Sequence, residues 1–560
     1  MNIPKSSQKL KNGKERSLIR SKAIVAYTTG IFKSRRTAFL AIIVFVVAVS
    51  TKILPSFLER LTADSCTYLD IGRNLFSGKG FSISYNLYQY WANTPYYPAA
   101  PLYPPLFPFL AGIIWNMFHS LTATILLNVF LAGINSVLFY YLLRIVYKDN
   151  GELADMPFWT ALLLSIGAPM QQTSMFAWTE QLSLLFLLVA VTLFIKDYSL
   201  KALRLITIGI LFGLGFLTRV DMVFCFAAIS LFLIVQRGIG RESIRACLCL
   251  LVGFLLIALP YELLCIVKYK LLYPAYVKVN SVGYMKAVLL GGSYDVAKIP
   301  VLQSQSLAWA DKKIMLMQIP HILNLFVVDL IRTFNFLVCF LIYRVYVIVR
   351  RNYFKERIFL ALGIVSLLIH SLFLSYQPRF NYIDIIRFGL VHFLFFFILA
   401  MAGFYDFCLY LGKYFQRHYR KLFYAGLFII AFSVGRFAID IQQDYFGSYR
   451  FTRLQNNARD TFFGWVRGRT SEHEVVAIAG NLIQETFPLS RPIVSVPAGA
   501  FLNPKNMSAF FSIYKPSFVI MDISDAGAYQ PYIASFANET GLGEPWHRLY
   551  CVYKIDYPLR

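Results

Sequence analysis

The chain has 560 residues, of which 58% are hydrophobic and 15% charged, with a formal net charge of +25. Soluble domains are about 45–50% apolar and about 25% charged, so a wholly soluble protein is excluded and the surplus apolar residues belong in lipid. The Lys and Arg residues cluster in short loops between apolar runs, as the positive-inside rule requires, so the charge is topogenic and gives no reason to expect a nucleic-acid partner.

In chain order, a basic stretch from Lys5 to Arg36 precedes an apolar run from Ala38 to Leu58. No small-residue cleavage pattern follows it. Residues 1–37 therefore read as a cytoplasmic tail and the run as an uncleaved signal anchor. Residues 59–120 form a large first external loop. Within it Leu106–Phe118 is short for a span and reads as a juxtamembrane or re-entrant element. A second span starts near Leu121 and ends inside at Arg144 and Lys148. Further spans are expected at 157–169, from Glu180 to Lys196, and at 205–218 and 222–236 as a hairpin around Thr218-Arg219-Val220-Asp221. Others follow at 246–265, 322–347, 358–375, 386–405 and 422–439. This gives about eleven spans, up to thirteen, in a module covering 38–439. Every strongly basic short loop then faces the cytoplasm, and residues 440–560 lie outside.

That tail is different material. Short β-like runs, Val475–Ala479, Pro492–Val496 and Phe518–Met521, are bounded by Gly, Pro, Asn or Asp, and Asn503–Phe511 suits a helix. The expected fold is a polytopic α-helical membrane protein with a small extracytoplasmic α/β domain. The eight cysteines show neither CxxC spacing nor a disulfide framework, and no HExxH or Cys/His cluster is present.

The unusual polar groups sit at the external ends of spans. Asp64 opens a run suited to an interfacial helix, Asp64-Ser-Cys-Thr-Tyr68-Leu-Asp70-Ile-Gly-Arg73-Asn74, with Gly78 as a stop. It serves there either as a helix cap or as a catalytic acid. Glu180 stands at the entrance of a span, where its charge also suits a helix N-terminus. Arg219 and Asp221 form either a self-neutralising structural pair or part of a site lining a wet cavity. Arg379, with Arg387 two helical turns on, defies the usual charge bias, and a guanidinium fork suits an anionic phosphate. A carboxylate base beside arginine-held phosphate, under an aromatic-rich loop with Tyr85, Tyr88, Tyr90, Trp91, Tyr96 and Tyr97, is what glycosyl transfer from a lipid-linked sugar needs.

Asp64, Tyr68 and Arg73-Asn74-Leu75, followed by Gly78-Lys-Gly80-Phe81 and Tyr103-Pro104-Pro105-Leu106, resemble the GT-C membrane glycosyltransferases. The resemblance is to the branch holding protein O-mannosyltransferases and bacterial aminoarabinose and lipopolysaccharide-core transferases. Glu180, Leu217-Thr218-Arg219 and Pro378-Arg379-Phe380 match further elements of that branch. Two departures stand out: Ser65 where many relatives carry a second acid, and Gly72 where Ala is usual. The resemblance covers about residues 38–400 and implies a polyprenyl-phosphate sugar donor and an inverting single displacement. It implies Asp64 as catalytic base or acceptor-orienting acid and Glu180 as second acid. Arg379 would hold the donor phosphate, with Arg219 as a further candidate. Tyr68, Asp70, Arg73, Asn74, Tyr103 and Asp221 would line the substrate. It leaves a divalent cation open, since some members use one between their acids and others do not. A lipid, polysaccharide or protein hydroxyl is the expected acceptor, and a bacterial inner membrane the expected location. The alternative, a transporter or flippase of lipid-linked sugars, would carry ionisable residues inside its spans, where this sequence has few.

Overall fold

The computed structural model describes residues 35–57, 62–86, 103–147, 155–196, 201–269 and 419–447, and most of 319–414. In the C-terminal part it describes most of 461–479, then 492–496, 504–533, 537–539 and 550–555. Arg379, the expected site loop around Tyr88–Tyr97 and residues 270–318 lie outside this set.

The helical module runs α1 (Arg35–Ser56), α2 (Ala63–Phe76), α3 (Leu106–Phe118), α4 (Leu121–Val146), α5 (Met156–Ile166) and α6 (Ala168–Ser174). It continues with α7 (Glu180–Lys196), α8 (Ala202–Phe216), α9 (Met222–Arg237) and α10 (Arg241–Tyr269). After residue 319 come α11 (Leu337–Arg351), α12 (Phe354–Leu374), α13 (Tyr382–Tyr414) and α14 (Tyr419–Gly447). Among the described residues, Arg35–Ser56, Leu121–Val146, Arg241–Val267 and Gly389–Gly412 are long and apolar enough to cross a membrane. Shorter apolar helices pack between them, including both arms of the expected hairpin, α8 and α9. Local chemistry sets the ends. Ser120 caps α4 by accepting the Ala123 N–H, and α2 stops where Gly78 takes a φ of +79°.

Helices packed in lipid approach through small residues, because no water is expelled to drive them together. A Cβ added to Gly209 of α8 would lie 2.1 Å from the Leu250 carbonyl oxygen of α10, and one on Gly253 would lie 2.0 Å from that of Ile206. Gly403 of α13 meets the Phe340 carbonyl of α11 in the same way. The departure noted at Gly72 has the same cause. A Cβ there would sit 2.5 Å from the Pro108 carbonyl oxygen and 2.7 Å from the Gly112 Cα of α3. The helices α2 and α3 cross backbone to backbone, so the 13-residue α3 is the floor under α2.

The bundle also holds buried charge. Arg344 of α11 pairs with Glu356 of α12 and Asp406 of α13, tying three helices at the end away from α2. The pairing stays invisible in sequence because the partners lie on different helices.

The C-terminal part is an α/β sheet domain with β2 (Val476–Ile478), β3 (Ile493–Ser495), α15 (Pro504–Tyr514), β4 (Phe518–Asp522), α16 (Ile523–Ile533), β5 (Ala537–Glu539) and β6 (Tyr550–Ile555). A sixth strand, β1 (Tyr85–Asn86), comes from the segment after α2. The order is β1-β3-β2-β4-β6-β5, parallel from β1 to β4 and antiparallel beyond. Successive strand residues point to opposite faces. Val519 and Met521 pack on Phe510, Phe511 and Tyr529 of the domain's own helices. Phe518 and Ile520 pack on the other side against Phe462, Phe463, Ile83 and Ile71 of α2. With both faces covered, strands read as continuous apolar runs.

Gly72→Ala should therefore lower the melting temperature in detergent, at a cost of about 1–3 kcal/mol from overpacking. In contrast, Gly435→Ala in α14, where nothing lies within 4 Å of an added Cβ, should raise it. Equal shifts for the two would disprove the close crossing.

Candidate active site

Thr62, and not Asp64, caps α2: its Oγ1 accepts the Ser65 N–H at 3.1 Å and the Trp178 indole N–H at 2.8 Å. Asp64 in the first turn is left for other work. Its carboxylate accepts the Tyr103 hydroxyl and ion-pairs with Arg387. The Tyr103 ring packs edge-on to Tyr68 at 4.7 Å, and Tyr68 in turn to Phe107 of α3 at 5.3 Å. Burial alone would raise the Asp64 carboxyl. The Arg387 guanidinium, the Tyr103 bond and the nearby Arg219 outweigh it, so the group is held below its ordinary value. Burial and the Asp64 carboxylate together push the Tyr103 hydroxyl well above its own.

Arg387, near the start of α13, is the centre of the cluster. Nη1 binds Asp64 Oδ2 and Nε binds Glu180 Oε1, while the guanidinium carbon lies 4.4 Å from the Trp178 ring centroid. Glu180, the first residue of α7, also pairs with Arg219. Arg219, in the turn between α8 and α9, grips both Asp221 oxygens, with Nε at 3.1 Å from each and Nη2 at 3.0 Å. Asp221 meets His370 Nε2 of α12 at 3.0 Å, and His370 Nδ1 meets Ser366 at 3.1 Å. Carboxylates and guanidiniums thus alternate from α2 to the α8–α9 turn as Asp64, Arg387, Glu180, Arg219 and Asp221, with the His370 imidazole of α12 bonded to the last of them. Such charges survive burial as a set, since removing one partner of a buried pair costs about 3–5 kcal/mol. The chain from Glu180 to His370 lines one end of a cavity between α7, α9, α12 and α13, whose walls include Leu184, Leu187, Met222, Phe224, Val365 and Leu390.

The loop carrying Trp178, Thr179 and Glu180 is held by amides. Asn128 of α4 donates to the Phe176 and Trp178 carbonyls at 2.6 and 2.7 Å. One heptad along the same helix, Asn135 donates to the Gln181 carbonyl at 2.8 Å. Gln181 donates onward to Thr173 at 2.7 Å. These residues and His370 were not singled out in the sequence. The signal available was two asparagines seven apart in an apolar helix, hence on one face.

Of the expected site residues, the structure brings together Asp64, Glu180, Arg219, Asp221, Tyr103 and Tyr68. Asp70, Arg73 and Asn74 face elsewhere. Asp70 pairs with Arg73 and accepts the Ser84 N–H, and Asn74 binds the Ser82 carbonyl and the Ser84 hydroxyl. Among the described residues no group of three or more His, Cys, Asp or Glu is placed to hold a metal ion. Asp64 and Glu180 are joined through a guanidinium, which does not fit a metal held between them.

Residues 103–261 match the family described as dolichyl-phosphate-mannose-protein mannosyltransferase. No curated protein matches the chain. Among solved structures, the chain is similar to ArnT from Cupriavidus metallidurans bound to undecaprenyl phosphate, with a TM-score of 0.53 at 12% identity over 93% of this chain and 97% of that one. It is also similar to the archaeal oligosaccharyltransferase AglB from Archaeoglobus fulgidus, in complex with an inhibitory peptide and a dolichol-phosphate. There the TM-score is 0.55 at 14% identity, over 90% of this chain and 71% of that one. A further structure of the Archaeoglobus fulgidus oligosaccharyltransferase, with Zn and sulfate, gives 0.53 at 15% over 88% and 69%. At such identities the likeness is one of fold; it extends over most of this integral-membrane chain, whereas the family match is confined to residues 103–261.

Proposed function

We propose that the chain transfers a monosaccharide from a polyprenyl-phosphate donor to an acceptor hydroxyl on the extracytoplasmic side of a bacterial inner membrane. The observation that carries this is the charged end of the cavity. Two guanidiniums, Arg219 and Arg387, with their partners Glu180 and Asp221, line a cavity whose other walls are mostly aliphatic and aromatic, interrupted by Ser183, Ser366 and His370. A ligand suited to both is an amphiphile with an anionic head, which a lipid phosphate is. The lipid phosphates bound by ArnT and AglB support the same class. Residues 440–560 belong on that same side, because their sheet packs against the helix that carries Asp64.

The reaction follows from the cluster. Asp64 takes the proton of the acceptor hydroxyl as that oxygen attacks the anomeric carbon. The bond from that carbon to the phosphate oxygen breaks in the same step, with inversion. Arg387 and Arg219 stabilise the charge gathering on the departing lipid phosphate, and Arg379, by the resemblance of its motif, is proposed as a further phosphate ligand. The acceptor is a lipid, polysaccharide or protein hydroxyl.

Asp64→Asn should lower kcat about 100- to 10,000-fold, the range for a lost general base. The check is transfer of labelled sugar in proteoliposomes from a panel of polyprenyl-phosphate sugars, with the product anomer read by NMR. A retained anomeric configuration, or an Asp64→Asn variant as fast as the natural chain, would overturn the assignment.

The pH dependence has a definite sign. A carboxyl held below its ordinary value of about 3.9 stays ionised above it, so activity is lost only as pH falls through the lowered value. Tyr103→Phe removes one of the groups that lower it, so the acid limb of kcat/KM should move to higher pH. Superimposable limbs would show that Asp64 is not the titrating base.

A further inference from the structure

Ser84 sits at a junction. Its N–H binds Asp70 of α2, its hydroxyl binds Asn74 at 2.9 Å, and its carbonyl accepts the Ile493 N–H of β3 at 2.9 Å. The next residues form β1, the edge strand of the C-terminal sheet, in register with Ile493 and Val494. Asp70, Asn74 and Ser84 are each no more than 2% exposed. Asp70 and Asn74 are four apart and share a face of α2, while Ile71 enters the apolar cluster of the sheet. Tyr103, which binds Asp64, packs against that same cluster. One face of α2 is thus tied to the sheet, and the helix presents Asp64 and Tyr68 at the site.

We propose that Asp70 and Asn74 are positioning residues that act through Ser84. They lock α2 to the edge of the C-terminal sheet, and this lock sets Asp64 and Tyr103 against Arg387. The domain is thereby part of the scaffold of the active site. Several features favour a lock over a substrate contact. Both side chains are buried, both spend their bonds on the backbone or hydroxyl of 82–84, and neither lines the cavity. One Asp70 oxygen accepts the Ser84 N–H, which is the bond of the lock, and the other pairs with Arg73.

This rests on the role of Asp64 proposed above, and the test separates the two. In the full chain, Asp70→Ala should lower kcat about 100-fold, the cost of a misplacement of roughly 1 Å. The donor KM should change by less than about threefold, since donor contacts are untouched. Asp70→Asn, which keeps an oxygen for the Ser84 N–H, should regain most of the rate. Hydrogen exchange provides the readout that needs no substrate. Amides in the first turn of α2 and at Ile493 should exchange about tenfold faster in Asp70→Ala, with α8 and α10 unchanged. An unchanged kcat, an Asp70→Asn variant no better than Asp70→Ala, or unchanged protection at Ile493 and the first turn of α2 would overturn the lock. If the natural chain transfers no sugar from any donor, the functional reading fails and the exchange data alone decide whether α2 is locked to the sheet.

Discussion

The site depends on one guanidinium. Arg387 holds Asp64 of α2 and Glu180 of α7 from its own place on α13, so three elements far apart in sequence meet at one planar cation. A fork of fixed geometry suits this task, because its donors leave in set directions and a flexible ammonium would fix neither acid relative to the other. The Trp178 ring beneath the fork removes one more freedom, and its indole N–H reaches back to the cap of α2. The acids are thereby fixed relative to each other before any ligand arrives, which is the preorganisation that electrostatic catalysis needs.

Holding such a cluster inside a bundle needs support of two kinds. Close helix packing through Gly72, Gly209, Gly253 and Gly403 brings backbones near enough that shifts of even an ångström are resisted. The loop bearing Trp178 and Glu180 turns inside the bundle, and Asn128 and Asn135 donate to its Phe176, Trp178 and Gln181 carbonyls. A buried acceptor without a donor costs about 1–3 kcal/mol, so each amide both stabilises the loop and fixes where Glu180 stands. The polar interior of this bundle is scaffold for the site at its end.

How much of this was legible follows from which interactions are local. Asp64, Glu180 and Arg219 could be singled out because each interrupts or borders an apolar run at the same side of the membrane. The strand-like runs around Val476 and Phe518 were legible because both faces of that sheet are covered, and the strands are apolar throughout. Arg387 stands out in sequence only as an arginine two helical turns beyond Arg379; its bridging is not legible, since neither partner is within reach along the chain. The two-residue β1 was invisible for the same reason, existing only by pairing with β3. Asp70 and Asn74 were expected at the substrate because they share a motif with Asp64. A helix turns residues six and ten positions apart by differing angles, and here they point to the sheet.

The two-sided sheet bears on how the C-terminal domain relates to the membrane module. Its helices α15 and α16 cover one face, where Val519 and Met521 point. The opposite face, with Phe518, Ile520, Val476 and Ile493, is closed by the helical segment at 461–467 together with Ile71 and Ile83. Remove the membrane module and apolar side chains on that face, together with the β3 edge that β1 covers, meet water. Uncovered sheet edges and apolar patches are the features that cause association, so a freestanding domain of this design would be a poor soluble module. Phe81 extends the contact to Tyr261 of α10, whose ring lies 6.1 Å away. The domain therefore takes its edge strand from the segment that leads out of α2. A shift of the β3 edge would thus be felt in the segment after α2, the helix that carries Asp64.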